Sequence, residues 1–299
     1  MKRPLVIPLM SLYNLRWLNR ELVLDRRTCI MGILNVTPDS FSDGGRFLSH
    51  DAALSQAERM IEDGADILDI GGESSRPFSE PISAEAEARR VVPIIEHLAG
   101  KIDVPISIDT TKAVVARRAM DAGAAIINDI SALRFDPEMG AVAAETGALV
   151  ILMHMLGEPK TMQVDPRYDD LIGDIKGFLE NAVKRAEAAG IPRSNIIIDP
   201  GIGFGKNVSH NLALIKHIHR FSGFGRPVLI GPSRKAFIRK LLAGGNDAAH
   251  EVAADHESVE TGTQAALSAA ILNGAHIVRV HDVARARATA AIIDAIRTQ

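Results

Sequence analysis

The chain has 299 residues, 46% of them hydrophobic, which suits one large α/β domain or two small ones with a well-buried core. Its 34 basic and 37 acidic side chains leave a formal net charge of −3 with no basic block of the kind a nucleic-acid surface needs, so nucleic acid is not an expected partner. The lone cysteine, Cys29, excludes an intrachain disulfide and a cysteine-based zinc site and fits a reducing, cytoplasmic setting; no apolar run reaches the ~20 residues that span a bilayer, so no membrane is expected either.

In chain order, the run LVIPLM near the start is broken by Pro4 and Pro8 and no small-residue cleavage site comes after it, so a signal peptide is not expected. Trp17 to Arg27 alternates polar and apolar residues. Residues 1–27 are read as a short N-terminal hairpin-like extension, able to plug the bottom of a barrel. From residue 28 to 299 short Ile- and Val-rich runs alternate with longer segments of helical spacing, the signature of βαβ units around a parallel sheet. The runs are Cys29 to Leu34, Ile67 to Ile70, Pro105 to Ile108, Ala125 to Ile127, Leu149 to Met153, Asn195 to Ile198, Pro227 to Ile230 and His276 to Val280. The helical segments include Ala52 to Asp63, Ala84 to Leu98, Lys112 to Ala122, Leu171 to Ala189 and Asn211 to Phe221. Eight such repeats predict an α/β fold, a (β/α)8 TIM barrel. Gly244 to Glu260 has the least pattern and reads as a loop between the seventh and eighth units.

The residues just after each run carry the chemistry, because barrels assemble their sites at the C-terminal ends of the strands. Those ends hold Asn35, then Gly71 to Arg76, Asp109 and Thr110, Asn128 and Asp129, His154, Asp199, Gly231 to Lys235, and His281 with Asp282. One such residue means little, since Asp and Asn commonly open a turn. A ring of Asn35, Asp109, Asn128, Asp199 and Lys235, however, would suit a flat heterocycle with amino, amide and ring-nitrogen edges. Ser233, ahead of AFIRKLL, is expected to be a helix N-cap facing an anion. Arg279 and His281, two apart on a strand, share a face and could clamp phosphate oxygens; the competing reading of Arg279 is a buried partner for a barrel carboxylate. The first loop, NVTPDSFSDGGRF with Phe41, and the second, GGESSRPFSEP with Arg76, are long enough to act as lids. In DPGIGFGK the glycines match no phosphate-loop spacing, and they are read as letting Asp199 and Phe204 approach a planar ring. His217 and His219, two apart on a helix, are expected to face different ways, and Cys29 to be a core residue.

MGILNVTPDSFSDGG (Met31 to Gly45), GGESSRP (Gly71 to Pro77), SIDT (Ser107 to Thr110), IND (Ile127 to Asp129), MHM (Met153 to Met155), DPGIGFGK (Asp199 to Lys206), SRK (Ser233 to Lys235) and RVHD (Arg279 to Asp282) together resemble the signature series of the dihydropteroate synthase family of pterin-binding enzymes. The resemblance runs from about residue 28 to the C-terminus. It implies condensation of 6-hydroxymethyl-7,8-dihydropterin diphosphate with p-aminobenzoate to 7,8-dihydropteroate and pyrophosphate, by dissociative substitution with Mg²⁺, in a cytoplasmic homodimer. By resemblance, Asp109, Asn128, Asp199 and Lys235 would hold the pterin with Met153 and Phe204 lining its pocket, and Asp109, Asp199 and Lys235 would serve catalysis. Asn35, Arg279 and His281 would hold the diphosphate, Asn35 also through the metal. Phe41, Ser75, Arg76, Pro77 and Ser233 would form the aminobenzoate site. The chain departs from the family pattern at Ser75, Phe78, Leu156 and Pro232, none of them a proposed catalytic group. The alternatives are a pterin-binding methyl-transfer domain, which needs no diphosphate grip, a metal-dependent barrel hydrolase, for which no His-x-His follows the first strand, and a catalytically dead paralogue.

Overall fold

The computed structural model describes residues 12–17, 20–25, 27–36, 46–74, 80–245 and 250–299. A short antiparallel hairpin, β1 (Tyr13–Trp17) and β2 (Arg20–Leu24), comes first. Strand and helix then alternate through β3 (Cys29–Asn35), α1 (Arg46–Glu62), β4 (Ile67–Gly71), α2 (Ala84–Ala99), β5 (Ile106–Asp109) and α3 (Ala113–Asp121). The alternation continues with β6 (Ile126–Asp129), α4 (Met139–Thr146), β7 (Leu149–Met153), α5 (Leu171–Ala188), β8 (Ile196–Asp199) and α6 (Val208–Lys216). It ends with β9 (Leu229–Ile230), α7 (Ala236–Leu242), α8 (Glu257–Leu272), β10 (Ile277–Val280) and α9 (Val283–Arg297).

The eight strands β3 to β10 are parallel and lie in the order β8-β7-β6-β5-β4-β3-β10-β9. The ring closes where Ile198 bridges to Val228 and its N–H donates to the Pro227 carbonyl at 3.1 Å, so the expected TIM barrel is the fold found. Both faces of each strand are covered, which is why the strands read as unbroken apolar runs. Ile30, Leu68, Ile70, Ile127, Val150 and Leu152 point outward into the helical layer. Cys29, Met31, Ile67, Ile126, Leu149, Ile151, Ile197 and Ile277 point inward, around Leu15, Trp17 and Leu24 of the hairpin. The hairpin therefore stoppers the end of the barrel where the strands begin, although it starts at Tyr13 rather than at Trp17.

Three further expectations need adjusting. The alanine-rich stretch MGAVAAET, not among the helical segments named from the sequence, supplies the helix the fourth repeat requires, α4, closed by Gly147 in the left-handed region at φ 67°. The loop expected through Glu260 gives way at Glu257 to α8, capped by the His256 ring, which accepts from the Ser258 N–H. Helix α6 ends at Lys216 and a 3₁₀ stretch comes next, so the His217 and His219 rings lie edge to face at 5.9 Å instead of pointing apart.

Candidate active site

Alternate residues of a strand face the same side. Moving along the inward positions from the stoppered end to the open end, apolar side chains give way to polar ones: Met31 to Asn35, Ile67 to Asp69, Ile126 to Asn128, Ile197 to Asp199, Ile277 to Arg279, while on β5 the small Ser107 gives way to Asp109. Cross-strand register sets Asp109 beside both Gly71 and Asn128, and Met153 beside Asp199. The polar residues picked out in the sequence are thus neighbours around one mouth.

Arg279 holds the centre. Its Nε donates to Oδ2 of Asp69 at 2.6 Å and its Nη2 to Oδ2 of Asp109 at 2.7 Å. The Asn128 amide donates to that same Asp69 oxygen at 3.1 Å. The competing reading of Arg279, a partner for barrel carboxylates, is the arrangement present here. Burial works against its charge, yet Asp69 and Asp109 together raise its pKa further. Burial also raises the Asp109 carboxyl to about 7, against the pull of Arg279. Asp69, wholly buried with Oδ1 lacking a hydrogen-bond partner, escapes a reading of strand ends because it sits inside an apolar run rather than after one.

The segment after β8 coils tightly. Gly201, Gly203 and Gly205 all take positive φ, 74°, 82° and 66°, and a Cβ on Gly201 would come within 1.9 Å of the His154 carbonyl oxygen. Its carbonyls are bound one after another by side chains, three from outside the turn and one, Lys206, from its own end. Gln163 donates to Gly203, Lys206 to Phe204 at 2.9 Å, Tyr168 to Gly205 at 2.8 Å, and Asn211 to Lys206 at 3.3 Å. Asp199 accepts the Gly201 N–H at 2.7 Å, and burial lifts its carboxyl to about 6 despite that bond and the charges of Lys206 and Lys235. Phe204 packs with Ile130, Met153, Met155 and Met162. The Lys235 ammonium stands 4.0 Å over the Phe204 ring centre, and burial together with repulsion from Arg279 lowers it to about 8.

Ser233 is not an N-cap. The helix α7 begins at Ala236 with Lys235 at its cap position, because Arg234 takes a left-handed φ of 56° and its side chain turns away to Glu260. The Ser233 hydroxyl instead lies 2.9 Å from Nδ1 of His281, joining the ends of two neighbouring strands. Asn35 is half-buried at the end of β3, and its amide has no hydrogen-bond partner among the described residues. No group of three or more His, Cys, Asp or Glu able to hold a metal occurs among the described residues. Phe41, Ser75, Arg76, Pro77 and Phe78 lie outside the described residues. No described helix is long and apolar enough to cross a membrane.

A closed parallel barrel with its ionisable residues gathered at the strands' C-terminal ends, beside a methionine- and phenylalanine-lined wall, defines a TIM-barrel enzyme built for a flat polar ring. The family model described as "Pterin binding enzyme" matches residues 31–281. The dihydropteroate synthase of Synechocystis sp. is 46% identical over 271 residues, 91% of each chain. Among solved structures, the Yersinia pestis dihydropteroate synthase with a sulfonamide drug complex superposes with a TM-score of 0.88 at 43% identity, covering 96% of this chain and 100% of that one. The Xanthomonas albilineans dihydropteroate synthase with 4-aminobenzoic acid gives 0.87 at 40% identity, covering 97% and 100%. The chain belongs to the dihydropteroate synthase family of pterin-binding enzymes.

Proposed function

We propose that this protein condenses 6-hydroxymethyl-7,8-dihydropterin diphosphate with p-aminobenzoate, giving 7,8-dihydropteroate and pyrophosphate in folate synthesis. The observation that carries the reading is the juxtaposition of Asp109, Asn128, Asp199 and Lys235 around one mouth, with Met153 and Phe204 in the adjoining apolar wall. Carboxylates and amides there match the donor-rich amino and ring N–H edge of a pterin, and Lys235 supplies a donor for its acceptors.

In this reading the bond between the pterin methylene and the diphosphate oxygen breaks before the arylamine attacks. The pterin delocalises the positive charge left behind, and the buried carboxylates of Asp109 and Asp199 stabilise it in a site where water screens little. The aminobenzoate nitrogen then bonds to the methylene and releases its proton. No protein nucleophile is needed. Arg279 and His281 would hold the departing diphosphate, with Ser233 and the second loop, including Ser75, Arg76 and Pro77, serving the aminobenzoate and Phe41 closing over it. The Asn35 amide, without a hydrogen-bond partner among the described residues, would offer its oxygen to a Mg²⁺ accompanying the diphosphate. Such an ion would neutralise charge on the leaving group.

A homodimer in the cytoplasm belongs to the same proposal. Leu212 on α6 and Leu241 and Leu242 on α7 leave apolar side chains exposed on helices that pack together, a face a second copy would cover. Incubation with the pterin diphosphate, p-aminobenzoate and Mg²⁺, following pyrophosphate and dihydropteroate together, tests the activity. Stoichiometric appearance of both is expected. Release of neither, with a pterin still bound, would favour the methyl-transfer reading.

A further inference from the structure

One buried cation has no part in the reaction as derived. Lys206 is 3% exposed, and its ammonium donates to the Phe204 carbonyl at 2.9 Å and to Nδ1 of His154 at 2.9 Å. Neither partner is a carboxylate. Arg279 and Arg226, by contrast, sit on carboxylates, Arg279 on Asp69 and Asp109 and Arg226 on Glu187, while Lys235 has the Phe204 ring beneath it. A buried charge bonded only to neutral groups is costly, and a methionine would fill the same space without that cost.

We propose that Lys206 is a positioning residue of the pterin site, fixing the 201–205 turn through Phe204 and His154 and acting by its charge on Asp199. The inference rests on the proposed pterin-binding function and extends it. His154 joins the two strand ends that carry the site: its N–H donates to the Asp199 carbonyl at 2.9 Å and its own carbonyl is the surface against which Gly201 packs. Its ring is wedged edge to face against Phe178 at 4.8 Å. Burial and the nearby Lys206 hold that ring neutral, with a pKa of about 2, so Nδ1 is free to accept. On the other side, the carbonyl of Phe204 is held by Lys206 while its ring lies under Lys235, so one residue is gripped from behind and capped in front.

The charged groups around this pair are few. Asp199 faces Lys206, Lys235 and Arg279; Lys206 faces Asp199 and Lys235, and its charge also reaches His210. Burial lowers the Lys206 ammonium to about 7 against the pull of Asp199, so it is a cation chiefly below that pH, where Asp199 titrates; removing it there takes away one of three cations favouring the Asp199 carboxylate.

The test is Lys206→Met in the full chain, with thermal melting and calorimetric binding of 6-hydroxymethylpterin between about pH 5.5 and 8.5. The expected result is a cooperative melt, binding weakened about tenfold or more at pH 7.5, and an acid limb of affinity moved upward by about half a unit or more. Binding within twofold of wild type with the limb in place would overturn the proposal, whatever the melting temperature. Should Lys206→Met not fold, His154→Leu keeps the lysine and removes one partner; affinity is then expected to fall about threefold with the limb unmoved, and unchanged affinity overturns the positioning role. Wild-type protein that binds no pterin would remove the functional reading itself, a result distinct from wild-type binding that Lys206→Met matches.

Discussion

Asp109 accepts a 2.7 Å hydrogen bond from Arg279, and still its carboxyl is pushed up to about 7. Desolvation outweighs the ion pair. Asp199, at about 6, is raised by the same cause. A raised pKa means that each group takes up its proton as pH falls through that value, and a protonated carboxyl no longer accepts two N–H bonds as an anion. Pterin affinity should therefore decline in two stages, below about pH 7 and again below about pH 6. A non-phosphorylated pterin keeps phosphate ionisation out of the measurement. Affinity constant down to pH 5 would contradict the assignment.

Asp199→Asn keeps the shape of the turn after β8 and removes the charge. Turnover should drop by about two to three orders of magnitude, corresponding to roughly 3–4 kcal/mol of transition-state stabilisation, with the melting profile retained. Steady-state rates with both substrates saturating provide the check; near-normal turnover would count against an electrostatic role.

Asp69 touches no proposed substrate atom yet receives both Arg279 and Asn128. Asp69→Asn leaves a buried guanidinium with one carboxylate partner. The expected cost is about 3 kcal/mol of folding stability, read from urea unfolding, together with weaker binding of both pterin and pyrophosphate. Loss of pyrophosphate binding alone, with stability and pterin affinity intact, would mean that Asp69 serves only the diphosphate end.

Trp17 is 8% exposed in the inner cluster at the stoppered end, far along the strands from the charged mouth. Trp17→Ala should destabilise by about 3–5 kcal/mol while leaving the Michaelis constants of the surviving folded enzyme within about twofold. Chemical denaturation and kinetics on the same sample separate the two effects.

Calorimetry should also find p-aminobenzoate binding negligible to the free protein and clear once pyrophosphate, Mg²⁺ and a pterin are present. The expectation stems from the proposal that Phe41, Ser75, Arg76 and Pro77, in the sequence after β3 and β4, serve the aminobenzoate together with Ser233. Equal affinity under both conditions would refute assembly of that subsite on the bound first substrate.

The barrel is legible in the sequence because strands covered on both faces leave unmistakable Ile- and Val-rich runs, and because polar residues stand after them at each open end. Attention to the residues after a run hides Asp69, which lies within one; the period-two series Ile67, Asp69, Gly71 holds the signal that finds it. The N-cap expected at Ser233 fails on a backbone conformation, the left-handed Arg234, that composition does not announce. Helix α4 is implied by the eightfold repeat, but its bounds are not, because its small residues give no apolar stripe to contrast with a polar face. Lys206 is visible as the last letter of DPGIGFGK, but that its amine turns back under Phe204 toward His154 is a fact of the coil made by three glycines.

The inward side chains of β3 to β10, packed on the hairpin beneath them, make the mouth a well with a solid floor. Whatever sits deepest must arrive first and depart last, since Met31, Ile67, Ile151 and Ile197, packed on Leu15, Trp17 and Leu24, leave no rear exit among the described residues. For a reaction joining two molecules end to end, the queue at the rim then dictates the order of events: the heterocycle descends, the arylamine comes down behind it, and the joined product has to back out arylamine end first. A second substrate arriving early would block the well for the first.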